Sequence, residues 1–327
     1  MHPENVRPDP LVIVGPTASG KSALAVELAH RIGTARIAAA GFGAIEIVSA
    51  DAMAVYRGMD IGTAKPTLAE RRGVVHHLLD VADPAEEYTV ARFQEEAKRA
   101  IASIEARGSV PIVVGGTGLY VRAMVDDFTM PGRYPEVRET IEAEPVTSKL
   151  WARLDELDPA AAAKMLPTNR RRIVRALEVS IGSGRRFSSF GPGVDRYPPT
   201  RFRQVGLALD RDELDRRIEA RYANQFAAGF LEETIELSKG ELSRTAAQAL
   251  GYRELLDHLA GSCSLDEALE VARRRTKRFA RRQERWFRRD PRIAWFGAVD
   301  DDLVMQVFDH WTGSDGEACR PSGENTP

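Results

Sequence analysis

Residues 11–22, LVIVGPTASGKS, restrict the fold more than any other part of the chain. Leu11–Val14 is a continuous apolar run, the pattern of a strand buried on both faces of a parallel sheet. The run stops at Gly15, and a helical pattern follows with Leu24, Leu28 and Ile32 on one stripe. Between them lie Gly15, Pro16, Thr17, Ala18, Ser19, Gly20, Lys21 and Ser22, in the spacing G-x-x-x-x-G-K-S. Glycines in such a loop let backbone N–H groups curl around an anion, and the helix N-terminus adds partial positive charge. Lys21 brings a full charge to phosphates, and the Ser22 hydroxyl suits Mg²⁺. The pattern implies a di- or triphosphate site, without implying that ATP is hydrolysed.

The rest of the chain extends this start into an α/β fold, a parallel sheet of the phosphate-loop type flanked by helices. Strands are expected at Ile45–Val48, Leu78–Val81, Val110–Val114 and Phe202–Leu209, and a helix at Thr89–Ala106. From residue 131 the pattern turns helical and charged (135–144, 148–157, 159–166 and 169–181), and 182–199 is rich in Gly, Ser and Pro. The expected organisation is a core of 10–130 and 200–312, a helical insertion with its linker at 131–199, and a disordered tail at 313–327. Long helices are expected from Arg211 to Arg289. The chain has 327 residues, 43% hydrophobic and 29% charged, an ordinary globular mixture. Two cysteines, Cys263 and Cys319, cannot build a disulfide framework or a four-cysteine zinc site. No apolar run reaches membrane-spanning length and no secretory signal opens the chain, so a cytoplasmic location is expected, with no membrane association and no obligate protein partner.

Three further features bear on chemistry. Asp51 follows the second strand, at the sheet edge where ligands bind in such folds. It is either a metal or proton acceptor there, or the N-cap of the next turn. Gly115-Gly116-Thr117-Gly118-Leu119-Tyr120 follows another strand, and its glycines either admit a ligand to the backbone or shape a tight turn capped by Thr117. Between Arg273 and Arg292, eleven basic residues stand against two acids, although the whole chain carries a net charge of -2. Phe279, Gln283, Trp286 and Phe287 form the packing stripe of this segment, and the remaining faces are cationic. That local excess favours a phosphate-backbone surface over a solvated face paired with acidic helices. Arg170, Arg171, Arg172 and Arg175 form a second basic cluster. Arg217 and Arg221, one helical turn apart, either reach a diphosphate or pair with acids.

GPTASGKS, SADAMAVYRGMDIGTAKP (49–66), HHLLDVADP (76–84), PIVVGGTGLY (111–120), RRIVRALEV (171–179), ALGYRE (249–254) and KRFARRQERWFRRDPRIAWF (277–296) resemble, in order, the motifs of the tRNA dimethylallyltransferase family. The resemblance implies a transfer of a dimethylallyl group from dimethylallyl diphosphate to N6 of the adenosine 3′ of the tRNA anticodon, with Mg²⁺ and without ATP consumption. It implies Asp51 as general base, Thr17 and Lys21 in the reaction centre, Arg221 and Arg217 on the diphosphate side, and Thr117 beside the adenosine. It further implies tRNA contacts, in the anticodon stem-loop, at Asp51, Ala52, Met53, Ala54, Arg138, Arg171, Arg172 and Arg175, to which the basic segment adds Arg281, Arg282 and Arg285. The usual family pattern after the aspartate is Asp-Ser-x-Gln, whereas this chain has Asp51-Ala52-Met53-Ala54. The stretch 34–44 is longer than usual, and 142–149 shorter. Competing readings are a small-molecule kinase with Asp51 as base, a prenyltransferase of free adenine nucleotides, and a non-catalytic RNA-binding NTPase switch. The first two leave the basic segment without a purpose, and the third predicts nucleotide-dependent RNA affinity with no prenyl transfer.

Overall fold

The structure, a computed structural model, describes residues 8–33, 43–191 and 193–313. The expectations for the tail at 314–327, the lead-in at 1–7 and most of the long 34–44 stretch lie outside the described residues. Contacts divide the chain into two units, one drawn from Met1–Val125 and Pro199–Pro327 and one from Asp126–Pro198.

The first unit is built on a six-stranded sheet: β1 (Leu11–Val14), β2 (Ile45–Ser49), β3 (His76–His77), β4 (Val110–Gly115), β5 (Arg203–Ala208) and β6 (Ile293–Gly297). Their order is β3-β2-β4-β1-β5-β6, and every pairing is parallel. Alternation along each apolar run splits the strands between two cores. Val12, Val14, Val48 and Val113 enter one, while Leu11, Ile13, Ile47, Ile112 and Val114 enter the other. This explains why the strand sequences are unbroken runs of apolar residues: both faces are covered.

One face is covered by α1 (Lys21–Gly33), through Leu24, Ala25 and Leu28, and by the last helix (Leu303–Thr312), through Val307, Phe308 and Trp311. The other face is covered by helices Val90–Ala106 and Gly118–Val125, and by three from the C-terminal half: α2 (Arg211–Ala227), α3 (Phe230–Leu237) and α4 (Leu265–Phe287). The first of these is capped by Thr89, whose side chain accepts from Arg92 N. Ser264 and Glu267 close a reciprocal capping box at the start of α4.

Several expectations are corrected. The strand expected at Leu78–Val81 is instead His76–His77, because Leu78 and Asp80 have φ of +61° and +57° and leave the extended region. The long helices expected from Arg211 to Arg289 are present as five helices, of which Arg211–Ala227 and Leu265–Phe287 are the long ones. Two of the breaks lie at Gly229 and Gly251, whose φ values of +98° and +88° are strained for residues with a Cβ. Strand Ile293–Gly297 and helix Leu303–Thr312 belong to no element expected from the sequence.

The second unit is helical, with helices Pro135–Glu142, Thr147–Leu157, Pro159–Ala162 and Arg170–Ser183. Ile141, Leu150, Leu154, Ile173, Val174 and Leu177 form its own core. Asp158 is fully buried and ties the unit's end to its middle: it accepts from Ala161 N, Ser188 N and Ser188 Oγ. Among the described residues, no helix is long and apolar enough to cross a membrane.

Candidate active site

The carboxyl ends of β1, β2 and β4 bring three loops together. The loop Gly15–Ser22 leaves β1 and runs into α1. Gly15 has φ +148° and lies against the neighbouring strand, where a Cβ would stand 2.9 Å from Leu207 O. Among the described residues, the N–H groups of Ala18, Gly20, Lys21 and Ser22 meet no protein acceptor. They are the unpaired donors of a helix start and its lead-in, and they suit an anion. Lys21 Nζ folds back over the loop, donating to Pro16 O at 2.6 Å and lying 3.4 Å from Ser19 Oγ. The residue keeps some surface, but the ammonium itself is enclosed. Burial pushes Lys21 down to about 8, the charge of Asp51 pulls it back up, and the charge of Arg221 lowers it further.

Asp51 directly follows β2. Its Oδ1 accepts from Met53 N at 2.8 Å and Ala54 N at 3.3 Å, so one oxygen caps the following turn. Among the described residues, its Oδ2 meets no hydrogen-bond donor. One oxygen therefore takes the capping role, and the other is left available. Thr117, in the loop after β4, accepts from Ala52 N at 3.1 Å through its Oγ1. The Asp51-Ala52-Met53-Ala54 segment is thus held by its backbone, and Ala54 is buried against the core.

Arg221 comes to the site from α2. Its Nη1 donates to Thr17 Oγ1 at 2.8 Å, and burial pushes its pKa down while nearby Tyr222, Asp51 and Tyr252 raise it. Arg217, one turn earlier, pairs with Glu213 at 2.6 Å, and its Nη1 would lie 4.0 Å from a Cβ at Gly20. Gly15–Ser22, Asp51, Thr117 and Arg221 therefore meet at one sheet edge, with Arg217 on its flank.

Sequence reading missed the residues that hold this assembly. Glu233 accepts the N–H groups of Asp60, Ile61 and Gly62 and the hydroxyl of Tyr252. Gln225 donates to Ile61 O and Gly62 O. Lys65 is buried between Asp60, Asp80 and Tyr56 O. Together these fix the loop beside Arg221, and nothing in their local pattern marks them. Gln283 of α4 accepts from Thr17 N at 2.9 Å and donates to Gly116 O at 2.8 Å. It did leave a signal, being the one amide on an otherwise apolar packing stripe.

The glycines of the second loop admit protein rather than open a ligand path. A Cβ at Gly115 would stand 2.2 Å from Ala50 O, one at Gly116 2.3 Å from Gln283 Nε2, and one at Gly118 2.2 Å from the Trp286 ring.

The basic helix α4 is two-sided. Arg273 and Lys277 pair with Glu219, Lys277 and Arg281 with Asp215, and Arg275 with Glu254. Arg278, Arg282 and Arg285 lie four and three residues apart, are exposed, and meet no carboxylate among the described residues. Arg282 lies over the Phe279 ring, and Arg285 contacts Arg281 O. A face paired with acids and a face that meets none among the described residues thus coexist on one helix. In the second unit, Arg171 and Arg172 are exposed. Arg138 and Arg175 both pair with the buried Glu178, at 3.3 Å and 2.7 Å.

Comparison with known proteins identifies the family. Residues 54–290 match the family described as IPP transferase. The chain is 53% identical over 310 residues to the tRNA dimethylallyltransferase of Kineococcus radiotolerans, covering 92% of this chain and 96% of that one. It is 48% identical to the enzyme of the same name from Thermobifida fusca, covering 91% of this chain and 92% of that one. The crystal structure of a tRNA isopentenylpyrophosphate transferase from Bacillus halodurans superposes with a TM-score of 0.68 at 37% identity, covering 94% of this chain and 96% of that one. A eukaryotic dimethylallyltransferase acting on tRNA superposes with a TM-score of 0.71 at 26% identity, covering 94% of this chain and 77% of that one. With a matched family region spanning most of the chain and relatives this similar over nine-tenths of it, the chain belongs to the tRNA dimethylallyltransferase (IPP transferase) family.

Proposed function

We infer that the protein transfers the dimethylallyl group of dimethylallyl diphosphate to N6 of adenosine 37, beside the tRNA anticodon, and releases diphosphate. The observation that carries this reading is the meeting, in a member of this family, of an anion-binding loop, a half-committed carboxylate and a half-buried arginine at one sheet edge. The N6 nitrogen attacks C1 of the allyl group, the C1–O bond breaks, and the electron pair leaves on the diphosphate. Fixed donors aimed at that developing charge stabilise the transition state. The loop N–H groups, Lys21, Arg221 and Thr17 would supply them, with Arg217 at the edge. An exocyclic amine must also lose a proton, and Asp51 Oδ2 would take it. Thr117 and the main chain of 51–54 would frame the adenosine, which must leave its stack to be reached.

Ser22 is exposed at the start of α1, and its Oγ has no hydrogen bond among the described residues. As one hard oxygen beside phosphates it fits Mg²⁺, which keeps several waters and asks little of the protein. When bound, the ion would neutralise charge on the diphosphate. Arg278, Arg282 and Arg285, with Arg281 behind them, would take the RNA backbone on the first unit. In the second unit, Arg171, Arg172, Arg138 and Arg175 would make contacts of the same kind with the anticodon stem-loop. The enzyme would act in the cytoplasm, where its RNA substrate is.

Incubation with dimethylallyl diphosphate, Mg²⁺ and unmodified tRNA, followed by nucleoside mass analysis, should yield prenylated adenosine. ATP hydrolysis with no prenyl transfer would overturn the reading and return the kinase and NTPase alternatives. Transfer to free adenine nucleotides but not to tRNA would restore the other prenyltransferase reading.

A further inference from the structure

We propose that Gln283 is a positioning residue for the diphosphate, acting by locking the phosphate loop to the second glycine loop; this rests on the prenyl-transfer reading above. The side chain is only 7% exposed and uses both ends of its amide. Oε1 accepts from Thr17 N at 2.9 Å, and Nε2 donates to Gly116 O at 2.8 Å. Thr17 is thereby held twice, since its hydroxyl also accepts from Arg221 at 2.8 Å. Its N–H points to Gln283 and is withdrawn from the anion, so the ligand is left to the N–H groups of residues 18 and 20–22. Gly116 is tailored to this contact, because any Cβ there would stand 2.3 Å from Gln283 Nε2. One turn on, Gly118 makes the same allowance for Trp286. A glutamine that merely filled core would not need to use both its donor and its acceptor on two separate loops, 266 and 167 residues away in sequence.

Two variants test the assignment against a purely structural role. Gln283→Met keeps the length and bulk and loses both hydrogen bonds. Gln283→Glu keeps the acceptor for Thr17, and when its carboxyl is protonated it regains a donor for Gly116 O. Binding of inorganic diphosphate with Mg²⁺ is measured by calorimetry from pH 5.5 to 8, alongside the KM for dimethylallyl diphosphate, tRNA affinity and thermal unfolding. Lys21, Asp51 and Arg221 also titrate or carry charge near this contact, but they are common to all three proteins and cancel in ratios to wild type. The expected result is a tenfold or greater rise in the diphosphate Kd and KM for Gln283→Met, with tRNA affinity within twofold. For Gln283→Glu, the deficit should shrink as the pH falls, while that of Gln283→Met stays constant. Diphosphate binding within twofold of wild type for Gln283→Met, or a pH-independent deficit for Gln283→Glu, would overturn the proposal. A wild-type protein that binds diphosphate but transfers no prenyl group would overturn the functional reading alone, because the binding measurements test Gln283 separately.

Discussion

Lys21 should make the ligand-free protein less stable at neutral pH than at alkaline pH, and the effect can be isolated. Its ammonium is enclosed by the loop, and burial outweighs the pull of Asp51, so its pKa falls from 10.5 to about 8. At about 1.4 kcal/mol per pH unit, that difference is a penalty of about 3 kcal/mol for holding the charge in the folded state. Below pH 8 both folded and unfolded chains carry the proton, and the penalty is whole. Between 8 and 10.5 the unfolded chain binds more protons than the folded one, so stability rises with pH and the penalty is released. The perturbation is Lys21→Met, which removes the charge and keeps the stem. Urea unfolding of both proteins in EDTA, from pH 7 to pH 10, gives a difference curve in which every other titration common to both cancels. Wild type should gain about 2–3 kcal/mol on the variant over that range, the larger part of the calculated penalty. The variant should also lose prenyl transfer, since a charge placed for an anion is kept at the cost of the empty fold's stability. A flat difference curve would refute the reasoning, because an ammonium with an ordinary pKa produces no such slope below pH 10.

Three other outcomes follow from the geometry. Asp51→Asn keeps the oxygen that caps Met53 and Ala54 and loses the proton acceptor, so kcat should fall roughly 10²–10⁴-fold with tRNA binding retained, as read by steady-state kinetics and filter binding; unchanged turnover would remove Asp51 as base. Replacing Arg282 and Arg285 by Gln should lower the slope of log K against log salt for tRNA by about 1–2, while Arg281→Gln, already paired with Asp215, should change it less; equal effects would show that ion pairing does not sort these residues. Gly118→Ala forces a methyl to within 2.2 Å of the Trp286 ring and should cost about 1–3 kcal/mol in urea unfolding; a neutral result would mean that α4 is free to shift.

Much of the core was legible because its determinants are local. An apolar run ending at glycine, followed by G-x-x-x-x-G-K-S and a helical stripe, specifies strand, anion loop and helix within a dozen residues. The same applies to β2 with Asp51 and to β4 with the Gly115–Gly118 turn. Strand Ile293–Gly297 was not legible: its short, partly exposed pattern becomes a strand only by pairing with β5, which lies about ninety residues earlier. Likewise His76–His77, rather than the more apolar Leu78–Val81, pairs with β2, because positive φ at Leu78 turns the chain away.

At the site, the residue types suited to an anion could be read from the chain itself, whereas the residues that hold them could not. Glu233, Gln225 and Gln283 act on loops more than 160 residues away, through hydrogen bonds that exist only once α2, α3 and α4 have packed on the sheet. The charge of α4 was equally plain in the chain, but which arginines are neutralised depends on where Asp215, Glu219 and Glu254 lie. Sequence by itself determined the local backbone motifs and the chemistry available to them. Tertiary structure decided which donors and charges remain unpaired for a ligand, because pairing depends on distance in space, and only the packed fold sets that distance.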